Sequence, residues 1–120
     1  MTVSISDEII SQLLFKVVRG LNFVSRTDGC WSTNVEIPDG NIFIELNPKF
    51  DFINVHRRSK LNSLIWSAMF STSGRFSLTG TSSEEEAKTV LGMALLNIGI
   101  RENVQHQEGV SQFIEKMETK

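Results

Sequence analysis

The side chains that could carry metal or nucleophilic chemistry are few and scattered along this chain of 120 residues. The two histidines, His56 and His106, lie far apart in the sequence, and Cys30 has no histidine or cysteine near it at the spacing of a zinc site. The run Glu84–Glu86 is consecutive, so its carboxylates would point in different directions around a helix. The sequence therefore predicts no enzyme and no bound cofactor or metal.

The composition indicates a globular domain, with 40% hydrophobic and 22% charged residues. A single cysteine excludes an intramolecular disulfide scaffold. No apolar run reaches the ~18 residues of a membrane span, and no signal peptide is recognised at the N-terminus. We therefore expect one domain over residues 1–120, soluble and intracellular, with no membrane partner.

Amphipathic patterns at both ends of the chain predict helices. Apolar residues recur every three or four positions over Ile9–Leu21, and Ser6 is suited to cap that helix. The pair Ser82-Ser83 stands three residues before glutamates, as in a capping box, and Gly99 is suited to end the helix that follows. The predicted helices span residues 6–21, 83–98 and about 110–118.

Between these helices, over residues of about 31–80, the hydrophobic period changes to two. Five strands are predicted, and their connections, such as Pro38-Asp39-Gly40, are too short for crossovers. Each strand must therefore pair with the next in an antiparallel meander. The predicted fold class is α+β, an antiparallel meander of about five strands with helices packed on one face.

Alternation along the strands predicts which side chains lie on the free face. In the third strand Ile53 and Val55 share one face, and in the fifth Phe76 and Leu78 do so. The fourth strand leaves two apolar sets open, one holding Trp66 and the other Met69. If the purely apolar sets of strands three and five face the helices, the free face carries Phe52, Asn54, His56, Arg58, Arg75, Ser77 and Thr79. Such a face is either a plain solvated surface or a binding surface.

Charge is unevenly distributed along the chain. Residues 45–80 hold five basic and two acidic side chains, whereas both flanking regions are net acidic and the whole chain carries a charge of -2. A locally basic sheet can direct a protein to a polyanion despite its net sign.

Three runs within about residues 45–100 resemble one repeat of the TATA-box-binding protein family. The family has an Asn-Pro-Lys stretch entering a strand, a strand ending in Phe, a small-residue turn with Gly and a basic residue, a strand ending Thr-Gly, and a Ser-Glu-Glu helix start. The corresponding runs here are Asn47-Pro48-Lys49-Phe50-Asp51-Phe52, then residues 67–80, then Ser83-Glu84-Glu85-Glu86-Ala87.

The resemblance implies a half-saddle that binds the DNA minor groove, because in that family the concave sheet lies on the groove and phenyl rings wedge between base steps. It implies that Phe52 and Phe70 form the wedge pair, so that replacing both by Ala would remove DNA bending with little loss of fold. A full saddle would need a homodimer or a partner subunit. The nucleic-acid-binding residues implied are Phe52, Asn54, His56, Arg58, Phe70, Arg75, Ser77 and Thr79.

Two functions remain open at this point. The first is a DNA-binding or transcription-initiation domain that uses the free sheet face. The alternative is a protein–protein interaction module, such as an adaptor, chaperone or inhibitor, that uses the same face without nucleic acid. An apolar patch centred on Trp66 would favour the protein partner.

Overall fold

A computed structural model describes residues 7–71, 76–79, 84–101 and 104–118. Within these ranges the chain forms three helices and six strands. In chain order they are α1 Asp7–Arg19, β1 Val24–Ser25, β2 Trp31–Ile37, β3 Gly40–Asn47, β4 Phe52–Ser59, β5 Leu64–Ser71, β6 Phe76–Thr79, α2 Glu84–Ile98 and α3 Glu108–Glu118.

The strands form one antiparallel sheet in sequence order, β1-β2-β3-β4-β5-β6. The five predicted strands correspond to β2–β6, and the predicted α+β fold is confirmed. The two-residue β1, which pairs Val24 with Ser32, was not predicted. Consecutive strands pair because each connecting turn is short, which leaves no room for a crossover.

Gly40 fixes the turn that joins β2 to β3. Its φ angle is 144°, and a Cβ atom at this position would overlap the carbonyl oxygen of Arg58 on β4. Only glycine adopts this conformation and tolerates this approach without strain. The turn therefore holds three strands in register at this end of the sheet.

The helices cover one face of the sheet, which we call the inner face. Inner-face side chains and helix side chains form a single hydrophobic core. The fully or nearly buried members from the sheet are Ile42, Ile44, Leu46, Ile53, Val55, Trp66, Ala68 and Phe70, and those from the helices include Ile10, Leu14, Val17, Val18, Leu91, Leu95, Val110 and Phe113.

Of two helix features expected from the sequence, the structure confirms one and contradicts the other. Gly99 follows the last residue of α2 with a φ angle of 84°, and its N–H donates to the Leu95 carbonyl at 3.2 Å, so the predicted helix end is confirmed. Ile9, assigned to the packed face of α1, is instead exposed. Ser6 and the pair Ser82-Ser83 lie outside the described residues.

Contacts at both ends of α3 fix it against the sheet. A Cβ on Gly109 would lie 2.9 Å from Cζ2 of Trp31, so the small residue allows the helix to approach the start of β2. Near the other end, Lys116 Nζ pairs with Asp51 Oδ1 at 2.7 Å, in the turn between β3 and β4. Among the described residues, no helix is long and apolar enough to cross a membrane.

The open question about β5 is settled by its register. Phe70 pairs with Ile53 and Ala68 pairs with Val55, so the set containing Trp66 faces the helices. Phe70 is only 1% exposed. Its expected place on the free face, as a wedge opposite Phe52, is therefore wrong, because directly paired residues of neighbouring strands point to the same side of a sheet.

We expect Phe70→Ala to lower the free energy of unfolding by about 3–5 kcal/mol, since it leaves a phenyl-sized cavity in the core. Phe52→Ala, on the half-buried opposite face, should cost clearly less. Urea denaturation of both variants measures the difference. Equal losses would contradict the burial of Phe70.

Candidate functional site: the outer sheet face

The face opposite the helices, here called the outer face, is the candidate site. None of the three described helices packs on it, and its side chains are mostly half-buried or exposed. Of the residues predicted for this face, Phe52, Asn54, His56 and Arg58 lie on β4, and Ser77 and Thr79 on β6 are paired with Met69 and Ser67. Arg75 lies outside the described residues.

An aromatic side chain with two cations lies near the centre of the outer face. The ring of Phe43 on β3 stacks on the His56 ring of β4, with centroids 6.0 Å apart. The guanidinium carbon of Arg58 lies 5.4 Å from the Phe43 ring centroid, and that of Arg26 lies 6.0 Å from it. Both distances fit cation–π contacts. We call Arg26, Phe43, His56 and Arg58 the Phe43 cluster.

Carboxylates hold one edge of the Phe43 cluster in place. Arg26 pairs with Glu45 and, at 2.9 Å, with Asp28. Asn54 Nδ2 donates to Glu45 Oε1 at 3.2 Å. The charge of Arg26 is therefore already balanced, and the positions of Arg26 and Glu45 are fixed by bonds on both sides.

Potential metal ligands also lie at this edge. Ligand atoms of Asp28, Cys30 and Glu45 fall within 4.8 Å of one another. Burial raises the pKa of the Cys30 thiol, and the neighbouring carboxylates of Glu45 and Asp28 raise it further. A protonated thiol is a poor metal ligand and a poor nucleophile. Arg26 already bonds both carboxylates and compensates one of their two charges, so the group suits structure better than cation binding.

His56 is a neutral group at the centre of the outer face. Its Nδ1 lies 2.5 Å from the Ser67 hydroxyl oxygen, at hydrogen-bonding distance. Burial lowers the pKa of His56, the nearby Arg58 guanidinium lowers it further, and Glu45 partly opposes both effects. At neutral pH the imidazole therefore adds a flat, uncharged surface beside Phe43.

The lowered pKa makes the stability of the fold depend on pH through His56. The unfolded chain takes up this proton near pH 6.5, whereas the folded protein takes it up at lower pH. The contribution of the neutral His56 to the stability of the fold is therefore present above pH ~6.5. It is lost as the pH falls through the interval between the pKa of the unfolded chain and that of the folded protein. We expect a smaller loss of stability between pH 7.5 and 5 in His56→Gln than in wild type.

The measurement is urea denaturation at both pH values, together with an NMR titration of the His56 ring. A His56 pKa at or above 6.5 would contradict this account of the cluster.

Exposed apolar side chains continue from the Phe43 cluster along β5. A register shift at Arg57/Arg58 pairs Arg58 with Leu64, so Ile65 is an extra residue in β5. A β-bulge of this kind re-aims side chains. The bulge explains why Leu64 is exposed while Trp66 is buried, although strict alternation would place both side chains on the same face of the sheet. We call the exposed Leu61, Leu64, Ile65 and Met69 the hairpin patch; they are 89%, 59%, 43% and 44% exposed.

Sequence reasoning missed two of the central residues, Phe43 and Arg26. The alternation of Phe43 with the buried Ile42 and Ile44 did place its ring opposite the core, and this signal was available. Arg26 belongs to the unpredicted β1 region, and only the pairing of β1 with β2 brings it over the sheet.

A separate open cleft of about 420 Å³ lies between the end of α1 and α3. Its histidine, His106, places Nε2 2.9 Å from the carbonyl oxygen of Leu21. That bond ties the connector before α3 to the end of α1. The cleft is therefore explained by packing between elements.

Comparison with protein families, curated proteins and solved structures gives no match for this chain.

Proposed function

We propose that this protein is an interaction module that binds another protein on its outer face. One observation carries the proposal: one side of the sheet packs against the helices in the hydrophobic core, while the other presents the Phe43 cluster next to the exposed hairpin patch. Contiguous exposed apolar side chains rimmed by polar ones mark interaction sites in soluble proteins.

The composition of this face is that of an interface core. Aromatic residues, Met and Arg are enriched at the centres of protein interfaces, whereas Lys, Glu and Asp are depleted there. Phe43, Met69 and Arg58 supply these types within three neighbouring strands. Burying each of the larger apolar side chains would contribute roughly 1.5–3 kcal/mol.

The central side chains are also held in place before any partner arrives. Two guanidinium groups lie within 6.0 Å of the Phe43 ring centroid, and His56 is within hydrogen-bonding distance of Ser67. Side chains already ordered in the free protein lose little entropy on binding. A neutral His56 further lowers the cost of removing this face from water.

Nucleic acid is a second candidate, favoured by the aromatic pair at the other end of β4. The rings of Phe50 and Phe52 stack with centroids 6.1 Å apart, and Lys49 Nζ lies 5.5 Å from the Phe50 centroid. Exposed aromatics beside a cation suit stacking of unpaired bases. Against a duplex interface stand the burial of Phe70 and the carboxylate of Glu45 on the same face.

The interaction proposal is tested by site-specific photo-crosslinking in the cells from which the protein comes. A benzoylphenylalanine at Met69 on the outer face is compared with one at Met93 on α2, since both side chains are exposed. We expect a discrete protein adduct from position 69 only. The captured protein, once purified, should bind wild type and bind Ile65→Glu at least tenfold more weakly. Adducts that are the same from both positions, or unaffected binding to Ile65→Glu, would contradict the proposal.

Fluorescence anisotropy with labelled oligonucleotides at physiological salt tests the second candidate. We expect duplex DNA to bind no tighter than the non-specific range of about 10⁻⁴–10⁻⁶ M. If single-stranded oligonucleotides bind more tightly than duplex DNA, the difference should be lost in Phe50→Ala. It should be kept in Leu61→Ala, which removes another exposed apolar side chain and serves as the matched control. Nanomolar binding or bending of the duplex would restore DNA as the main ligand.

A further inference from the structure

We propose that the partner segment is an acidic amphipathic α-helix of about three turns, laid along β5 over the hairpin patch. This inference rests on the proposed function and names the chemistry of its partner. It follows from the charges beside the hairpin patch, from the hydrogen bonding of β5 and from the length of the exposed apolar row.

The charges beside the hairpin patch have one sign. Residues 52–71 contain Arg57, Arg58 and Lys60 and no Asp or Glu. Arg57 is paired in register with Ile42 and Trp66 and so lies on the inner side, where it donates to the backbone carbonyls of Asp39 and Arg58. Within the described part of the chain, no carboxylate pairs with Arg58 or Lys60. Arg58 is paired in register with Leu64, so an uncompensated cation stands directly beside the apolar side chains.

Hydrogen bonding within the sheet favours a helix over an added strand. β5 lies between β4 and β6, so its backbone donors and acceptors already have partners over the length of β6. An occupant of the hairpin patch must satisfy its own backbone groups, which a helix does internally. Strand addition would instead use an edge of the sheet, whereas Met69 lies on the face of a strand that is paired on both sides.

The length of the hairpin patch sets the length of the helix. Leu64 and Met69 are five residues apart on β5, or ~17 Å at about 3.3 Å per residue. A helix rises about 1.5 Å per residue, so ~11 residues, or about three turns, span this distance. Apolar residues at i, i+3 or i+4, and i+7 would contact the patch, while acidic residues on its flank would reach Arg58 and Lys60.

Other occupants fit the observations less well. A membrane lying flat on the outer face would press Glu45 and Asp28 against its headgroups, which is unfavourable for the anionic lipids that Arg58 and Lys60 would select. A second copy of this chain could offer Met93 and Leu96, which are exposed on α2. Because α2 also carries Glu84, Glu85 and Glu86, a second copy is an outcome of the test: sedimentation equilibrium of the protein alone should give a monomer, and a dimer that is lost in Ile65→Glu would overturn the proposal of a separate partner.

The test is selection from a random 16-residue peptide library displayed on phage, with the whole protein immobilised. We expect the enriched peptides to contain Asp and Glu together with apolar residues at helical spacing. A synthetic peptide from this set should gain helical circular dichroism on binding. Its affinity should fall at least tenfold for the doubly substituted Arg58→Glu, Lys60→Glu protein and change less than twofold for Lys88→Glu, a charge reversal on α2.

The two proposals fail in distinguishable ways. If enriched peptides lose affinity for Ile65→Glu but are basic, non-helical or insensitive to the double substitution of Arg58 and Lys60, the acidic helix is excluded and the outer face remains a protein-binding surface. If no enriched peptide loses affinity for Ile65→Glu, the outer face itself is excluded. Sedimentation with vesicles of phosphatidylserine and phosphatidylcholine completes the test, and vesicle binding without peptide binding would overturn both. Thermal unfolding of each variant verifies that these substitutions leave the fold intact.

Discussion

The pairing register between β4 and β5 is the constraint on which the rest of the structure depends. This register pairs Phe70 with Ile53 and Ala68 with Val55, so the side chains of Phe70 and Ala68 point into the core. The shift at Arg57/Arg58 then turns Leu64 away from that core. A one-residue slip would exchange the two faces of the strand, bringing Met69 inside and Phe70 out. Core packing and the candidate site are therefore two consequences of one alignment.

The outer face gains its order from pairs that reach across strands. Phe43 touches side chains from β4 and from the segment after β1, and Glu45 joins Arg26 to Asn54. Each contact is modest by itself, since partly exposed ion pairs contribute about 0–1 kcal/mol. Together with the contact of Arg58 on the same ring, they hold the Phe43 ring, the neutral His56 imidazole and the Arg58 guanidinium in fixed places. The proposed protein interface rests on this arrangement.

The sequence allowed the fold to be predicted where local patterns decide it. The alternation in β2–β4 and the glycine that ends α2 at Gly99 needed no distant contact. The orientation of β5 could not be predicted, because both of its alternating sets are apolar and a bulge interrupts the alternation at Leu64. The Phe43 cluster was missed because Arg26 reaches it only through the pairing of β1. The resemblance to a TATA-binding repeat wrongly predicted that Phe70 is a wedge on the free face. A motif match fixes the order of residues along the chain but not the side of the sheet on which each side chain lies.

The most direct test of this account is the solvent accessibility of individual side-chain methyl groups, measured by NMR with a soluble paramagnetic relaxation agent. The account predicts strong broadening of the Ile65 and Met69 methyl signals and little effect on those of Ile44 and Ile53, which share the sheet but face the helices. Protection of Ile65 and Met69 to the same degree as Ile53 would show that the outer face is covered, and would contradict the account.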